Sequence, residues 1–241
     1  MQRVFRSRGI RLIKSEDGVC CREKVYYEPD GAYMIKNSSV NRLQSDGIIS
    51  LFEYAIADGT IDSFNYHVNL NNDYSRIYQG LPNYIFDEVT ELDSYLGNPF
   101  KNYTIGYKFC NAEIRGRSFY FYPTVWKENR YGIKGITDTD IITKKVDSFY
   151  EYIGLNKELY GDEMKDFIES ICKLKGVSIA YEMNKKDYKI YCRMNMERLK
   201  KLLKKHMGYD LIDHDEYGPV VLVAQRIYDS AIVGYNLYYL A

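Results

Sequence analysis

The stretch GVSIAYEMNKKDYKIYCRM, residues 176–194, constrains the fold more than any other. Two runs of alternating side chains flank Asn184, Lys185, Lys186 and Asp187, a cluster that favours a turn. The pattern reads as a β-hairpin, and a lone hairpin is marginal until further strands or a helix cover it. A helical stretch follows at once: NMERLKKLLKKHMG (195–208) sets Leu199, Leu202 and Leu203 on one side.

The same unit recurs along the chain. GIRLIKS and VCCREKVYYEP flank the turn EDG, and residues 38–57 then read as helical. DSFNYHVNLNNDYSRIYQGLP (62–82) reads as two strands turning at Asn71, Asn72 and Asp73. Helical spacing follows over 83–97, with Ile85, Val89, Leu92 and Leu96 inward and Gly97 as a stop. A third hairpin spans 103–123, turning near Asn111 or Gly116, and leads into a helical region over 137–175. A final hairpin covers 219–241. Five strand–strand–helix units, the last lacking its helix, predict an α+β fold. Its core is a ten-stranded antiparallel β-barrel of repeated hairpin/helix units with helices outside, because closure removes exposed edges. A chain of 241 residues can bury such a core as a single domain over 1–241.

Strand alternation then gives one face an unusual chemistry. Arg22, Lys24 and Tyr26 share a face; so do Tyr74, Arg76 and Tyr78, and so do Lys189, Tyr191 and Arg193. Tyrosines anchor every hairpin, at Tyr26, Tyr78, Tyr120, Tyr191 and Tyr238, in a chain holding 26 tyrosines. The opposite faces carry Val25, Tyr27, Ile77, Ile190 and Cys192, which suit packing against helices. The cation-and-phenol face then looks into the barrel. Cations buried there need a counter-charge, which a bound diphosphate supplies. Tyrosine faces stabilise a carbocation by roughly 0.5 to 2 kcal/mol per well-placed ring.

These residues resemble the aromatic prenyltransferase superfamily of the ABBA, or prenyltransferase-barrel, fold, and its indole- and cyanobactin-type members most. KVYYEP is similar to the family's first strand motif, SFYFYP to its Lys-x-Tyr-x-Tyr-Pro strand, and KIYCRM to a later Lys-x-Tyr strand. The resemblance implies that Lys24 and Lys189 bind diphosphate and that Tyr120, Tyr122 and Tyr191 shield a prenyl cation. Tyr26 belongs to the same first motif; Arg76, Tyr78, Lys108, Arg226 and Tyr238 join the set by their place in the repeat. Three departures stand out: Ser118 where lysine is usual, Asp187 where arginine is common, and no match for the glutamate that contacts the acceptor.

The implied activity is transfer of a prenyl group from an allylic diphosphate, dimethylallyl or geranyl, to an electron-rich aromatic small molecule or peptide. The general base is unassigned. No cofactor is implied, and Mg2+ is compatible with the reaction but not required, since Asp-Asp-x-x-Asp is missing. The aspartates of DTD (138–140) and DHDE (213–216) read as solvated or capping groups rather than ion ligands. The alternative function is a non-catalytic barrel that binds a small aromatic ligand, or single-stranded RNA stacked on the tyrosines. Thirty-three basic and thirty-three acidic residues leave no net charge to draw in nucleic acid or anionic membrane. The basic helix face KKLLKKHM (200–207) reads as solvated, so neither nucleic acid nor membrane is an expected partner. The five cysteines lack paired spacing and no signal-peptide pattern opens the sequence, which together predict free thiols in a cytoplasmic protein.

Overall fold

The computed structural model describes residues 3–29, 49–57, 60–69, 91, 103–110, 113–121, 139–174, 178–182, 186–212 and 220–240. Among the described residues there are ten strands and three helices with defined bounds. They are β1 (Arg3–Ser15), β2 (Gly18–Pro29), β3 (Ile49–Ala57), β4 (Thr60–Asn69), β5 (Tyr103–Cys110) and β6 (Glu113–Phe121). Helices α1 (Thr139–Tyr152) and α2 (Lys157–Leu174) come next, then β7 (Ser178–Glu182) and β8 (Asp187–Asn195). Helix α3 (Met196–Met207) leads to β9 (Val220–Tyr228) and β10 (Ala231–Leu240).

Local chemistry sets the boundaries. Glu16 and Asp17 link β1 to β2, and Gly18 takes φ +124° as Ser15 Oγ donates to its carbonyl at 2.8 Å. Asp229 and Ser230 both adopt positive φ, 48° and 61°, which suits a two-residue hairpin loop whose twist matches its strands. Asn195 caps α3 by accepting from the Arg198 amide at 2.9 Å, and Gly208 closes it in the left-handed region. Asn156 does the same for α2, accepting from the Glu158 amide at 2.9 Å.

The expected barrel with a helix outside each hairpin is corrected: a five-stranded antiparallel sheet, β2-β1-β10-β9-β8, carries all three helices among the described residues. Among the described residues the helices do not follow each hairpin. Two sit between the third and fourth hairpins and one between β8 and β9. Beyond the five strands, backbone pairings run from β8 through β7, β6, β5, β4 and β3 to β2, ordering the ten strands as a ring. The second hairpin is also displaced: it is Ile49–Ala57 with Thr60–Asn69, not 62–82. Part of the span expected to be helical after the first hairpin, 49–57, is therefore strand. Leu51, Phe52, Tyr54 and Ile56 alternate too densely with other apolar residues for helical spacing to be told from a strand. The expected helix over 83–97 lies outside the described residues except Glu91.

One face of the sheet and the helices make the core. Ile10, Leu12, Ile190, Cys192, Met194, Val223, Ile227, Tyr235 and Leu237 meet Phe149, Phe167, Ile171, Leu199 and Leu203 there, all buried. Each large apolar side chain buried this way contributes about 1.5–3 kcal/mol. A buried polar chain crosses this interface. Lys14 Nζ donates to Glu163 Oε2 at 2.7 Å, and Tyr235 OH to Glu163 Oε1 at 2.6 Å. Gln225 Nε2 donates to Tyr235 OH at 3.3 Å, and Tyr150 OH donates to Gln225 Oε1. Burial is the main cause that pushes both phenols well above the ordinary tyrosine range, with Glu163 adding to it. Among the described residues no helix is long and apolar enough to cross a membrane.

Candidate functional site

The helix-covered face consumes one parity of β1, β8, β9 and β10, so the other parity is left for a site. Register fixes which residues those are. Lys189 pairs with Arg226 and with Ala180, and Ala180 pairs with Tyr120. Tyr191 pairs with Ala224, Ala224 with Asn236, and Asn236 with Arg11. Lys24 pairs with Gly9, which pairs with Tyr238. Directly opposed residues point to one side of a sheet, so all of these share the face away from the helices.

Three of the anticipated tyrosines meet. The Tyr191 ring lies 6.2 Å from Tyr238, stacked at 29°, and 6.3 Å from Tyr120, tilted at 45°. Ala224, wholly buried beneath them, and Leu222 complete the apolar patch. Small side chains on the central strand make the room: a larger residue at Ala224 would push Tyr191 off its neighbours.

One strand step away the chemistry turns ionic. Arg226 Nη2 donates to Asp187 Oδ2 at 3.1 Å. Lys189 Nζ lies 4.0 Å from the same oxygen and 3.9 Å from Glu182 Oε2. Burial holds the Lys189 ammonium below the ordinary lysine range; Asp187 and Glu182 oppose that, while Arg226 and Arg11 reinforce it. Gly116 faces Glu182, where a Cβ would stand 3.1 Å from Oε1, with Lys108 alongside. Three buried polar atoms on this face have no hydrogen-bond partner among the described residues: Asp187 Oδ1, Arg226 Nε and Asn236 Oδ1.

The anticipated residues are thus brought together in two groups, Tyr120–Tyr191–Tyr238 and Lys189–Arg226. Lys24 is buried on the same face, at 8% exposure, and Lys108 borders the Glu182 end. Arg193 shares the face of Lys189 and Tyr191, opposite Leu222, but is exposed at the far end of β8. The side chain of Tyr26 is not among those described, and Arg76, Tyr78 and Tyr122 lie outside the described residues. Sequence reading missed Glu182 and Asn236 and took Asp187 as a turn residue and a departure from a motif. Their signal was the alternation itself: Asp187 stands two residues before Lys189, and Asn236 two before Tyr238. One expectation about charge changes. The counter-charge for Lys189 and Arg226 comes at least in part from Asp187 and Glu182, within the protein.

Other chemistries find less footing. Among the described residues no three His, Cys, Asp or Glu side chains cluster as metal ligands. Cys192 faces the helices, and burial pushes its thiol up, away from nucleophilic use. The basic face of α3 is offset by acids: Lys201 pairs with Glu197, Lys204 with Asp210 and Lys205 with Asp166. No family model matches the chain, and no curated protein matches it.

Proposed function

We propose that this face binds an allylic diphosphate and transfers its prenyl group to an electron-rich aromatic molecule. The observation that carries the reading is the junction of two cations, Lys189 and Arg226, with the three-tyrosine patch at Tyr191. The cations stabilise the diphosphate as its C–O bond breaks, and the tyrosine rings exclude water from the allyl cation and spread its charge. The ring carbon that attacks the cation gives up its proton to the released diphosphate. Asp187 holds Arg226 and Lys189 in place before the anion arrives, so their geometry is set in advance. The same carboxylate opposes the anion, which keeps binding moderate rather than tight. Calorimetry with dimethylallyl and geranyl diphosphate in EDTA tests the reading. Heat of binding that weakens in Lys189→Ala supports it, and no heat with either ligand refutes it.

A second reading draws on the balance of charge: with Asp187 and Glu182 already beside the cations, the tyrosine patch can hold a neutral aromatic ligand without turnover. Binding of aromatics without any response to diphosphate selects it.

A further inference from the structure

Asn236 is buried, at 5% exposure, on the same face as the tyrosine patch. Its Nδ2 donates to Tyr238 OH at 3.1 Å, which orients the amide and ties it to the ring that stacks on Tyr191. Its Oδ1 has no partner among the described residues. A buried amide oxygen without a donor is costly, and native structures rarely keep one without a use. The cross-strand neighbours do not answer the need: Ala224 on one side has no polar side-chain atom, and on the other side Arg11 makes no hydrogen bond to it.

We infer that Asn236 Oδ1 is the recognition point for the aromatic acceptor, accepting a hydrogen bond from an O–H or N–H group on its ring. The inference rests on the proposed transfer reaction and names its acceptor class: phenols and N–H heteroaromatics, rather than ethers, N-alkyl rings or plain hydrocarbons. A flat ring laid against the tyrosines turns its donor toward the amide, while the ring carbon to be alkylated faces the Lys189–Arg226 end. A site built around a buried acceptor rejects ligands that lack the donor, because the acceptor then stays unpaired.

The test compares phenol with anisole, its methyl ether, by ligand-observed NMR titration of the full chain, with and without dimethylallyl thiolodiphosphate. The expected result is about tenfold weaker binding of anisole than of phenol, with the preference lost in Asn236→Leu. Equal affinities in the unsubstituted protein overturn the inference whatever the variant does, so a variant that fails to fold does not shelter it. A preference that survives in folded Asn236→Leu overturns it as well. Separate arms keep the two ideas apart. Thiolodiphosphate binding without phenol selectivity removes Asn236 from the site and leaves the transferase reading standing. Phenol selectivity without thiolodiphosphate binding keeps the recognition point and ends the transferase reading.

Discussion

Tyr235→Phe isolates the polar chain between helices and sheet. The ring stays, and with it the contact to Phe167, whose centroid lies 6.0 Å away. Only the hydroxyl goes. It donates to Glu163 Oε1 at 2.6 Å, a charge-assisted bond worth about 1.5–3 kcal/mol. It also accepts from Gln225 Nε2 at 3.3 Å, a long bond contributing no more than about 1 kcal/mol. Glu163 keeps Lys14 at 2.7 Å, so the carboxylate is weakened rather than orphaned. The loss is therefore about 2–4 kcal/mol, or roughly 4–16 °C in Tm for a domain of this size. Tyr150→Phe removes one neutral bond to Gln225 and costs less, about 1–2 kcal/mol. Urea unfolding reads both as a fall in midpoint at constant slope. A Tyr235→Phe cost below about 0.5 kcal/mol, or a cost smaller than that of Tyr150→Phe, refutes the assignment of the chain as the tie between layers.

Lys189→Ala lowers affinity for dimethylallyl diphosphate by about ten- to a hundredfold in calorimetry, the scale of one charge-assisted phosphate contact. Asp187→Asn does the reverse, tightening the anion while lowering Tm, because Arg226 and Lys189 lose a buried counter-charge. Gly234→Ala abolishes stable folding as read by a thermal melt, since its Cβ would stand 2.0 Å from the Leu12 carbonyl oxygen at φ +153°. Gly161→Ala, in α2 with nothing within 4 Å, stabilises by about 0.5–1 kcal/mol in the same assay. Acid weakens the α2–α3 contact. Burial raises the Asp166 carboxyl, but hydrogen bonds from Lys205 and His206 outweigh it and hold the group below its ordinary range. That contribution is present above the unfolded carboxylate range and fades as pH falls through the lowered one. Asp166→Asn flattens the acid limb of a Tm-against-pH curve, and an unchanged limb refutes the contact.

Where one face of a segment is plainly apolar, the sequence was legible. β8 shows it: Ile190, Cys192 and Met194 go to the helices, so Lys189 and Tyr191 go the other way. The turn residues at 16–18 likewise announce the first hairpin, and α3 carries its own cap at each end. The second hairpin failed for a physical reason. Asn71, Asn72 and Asp73 are strong turn formers and compete with Asp58-Gly59, itself a strong hairpin signal. The flanking apolar run 48–57 is as compatible with a helix as with the strand that ends where Ala57 pairs with Thr60. The ionic part of the site was hidden because its pairing partner is decided by register. Asp187 and Arg226 lie 39 positions apart, and nothing local brings them together.

The pairing of β1 with β10, from Ser7–Leu240 to Ile13–Gly234, has a consequence for how the chain is made. Translation proceeds at about 5–20 residues per second, so β1 emerges roughly 10–45 s before its neighbour exists. During that interval β1 has β2 on one side and an unsatisfied ladder on the other, an invitation to pair with strangers. Arg8, Arg11 and Lys14 are spread along this waiting edge, and their charges deter such pairing until the last strand arrives. Ribosome-associated intermediates should therefore be protease-sensitive and salt-sensitive in β1, and both properties should vanish together once Leu240 has cleared the exit tunnel.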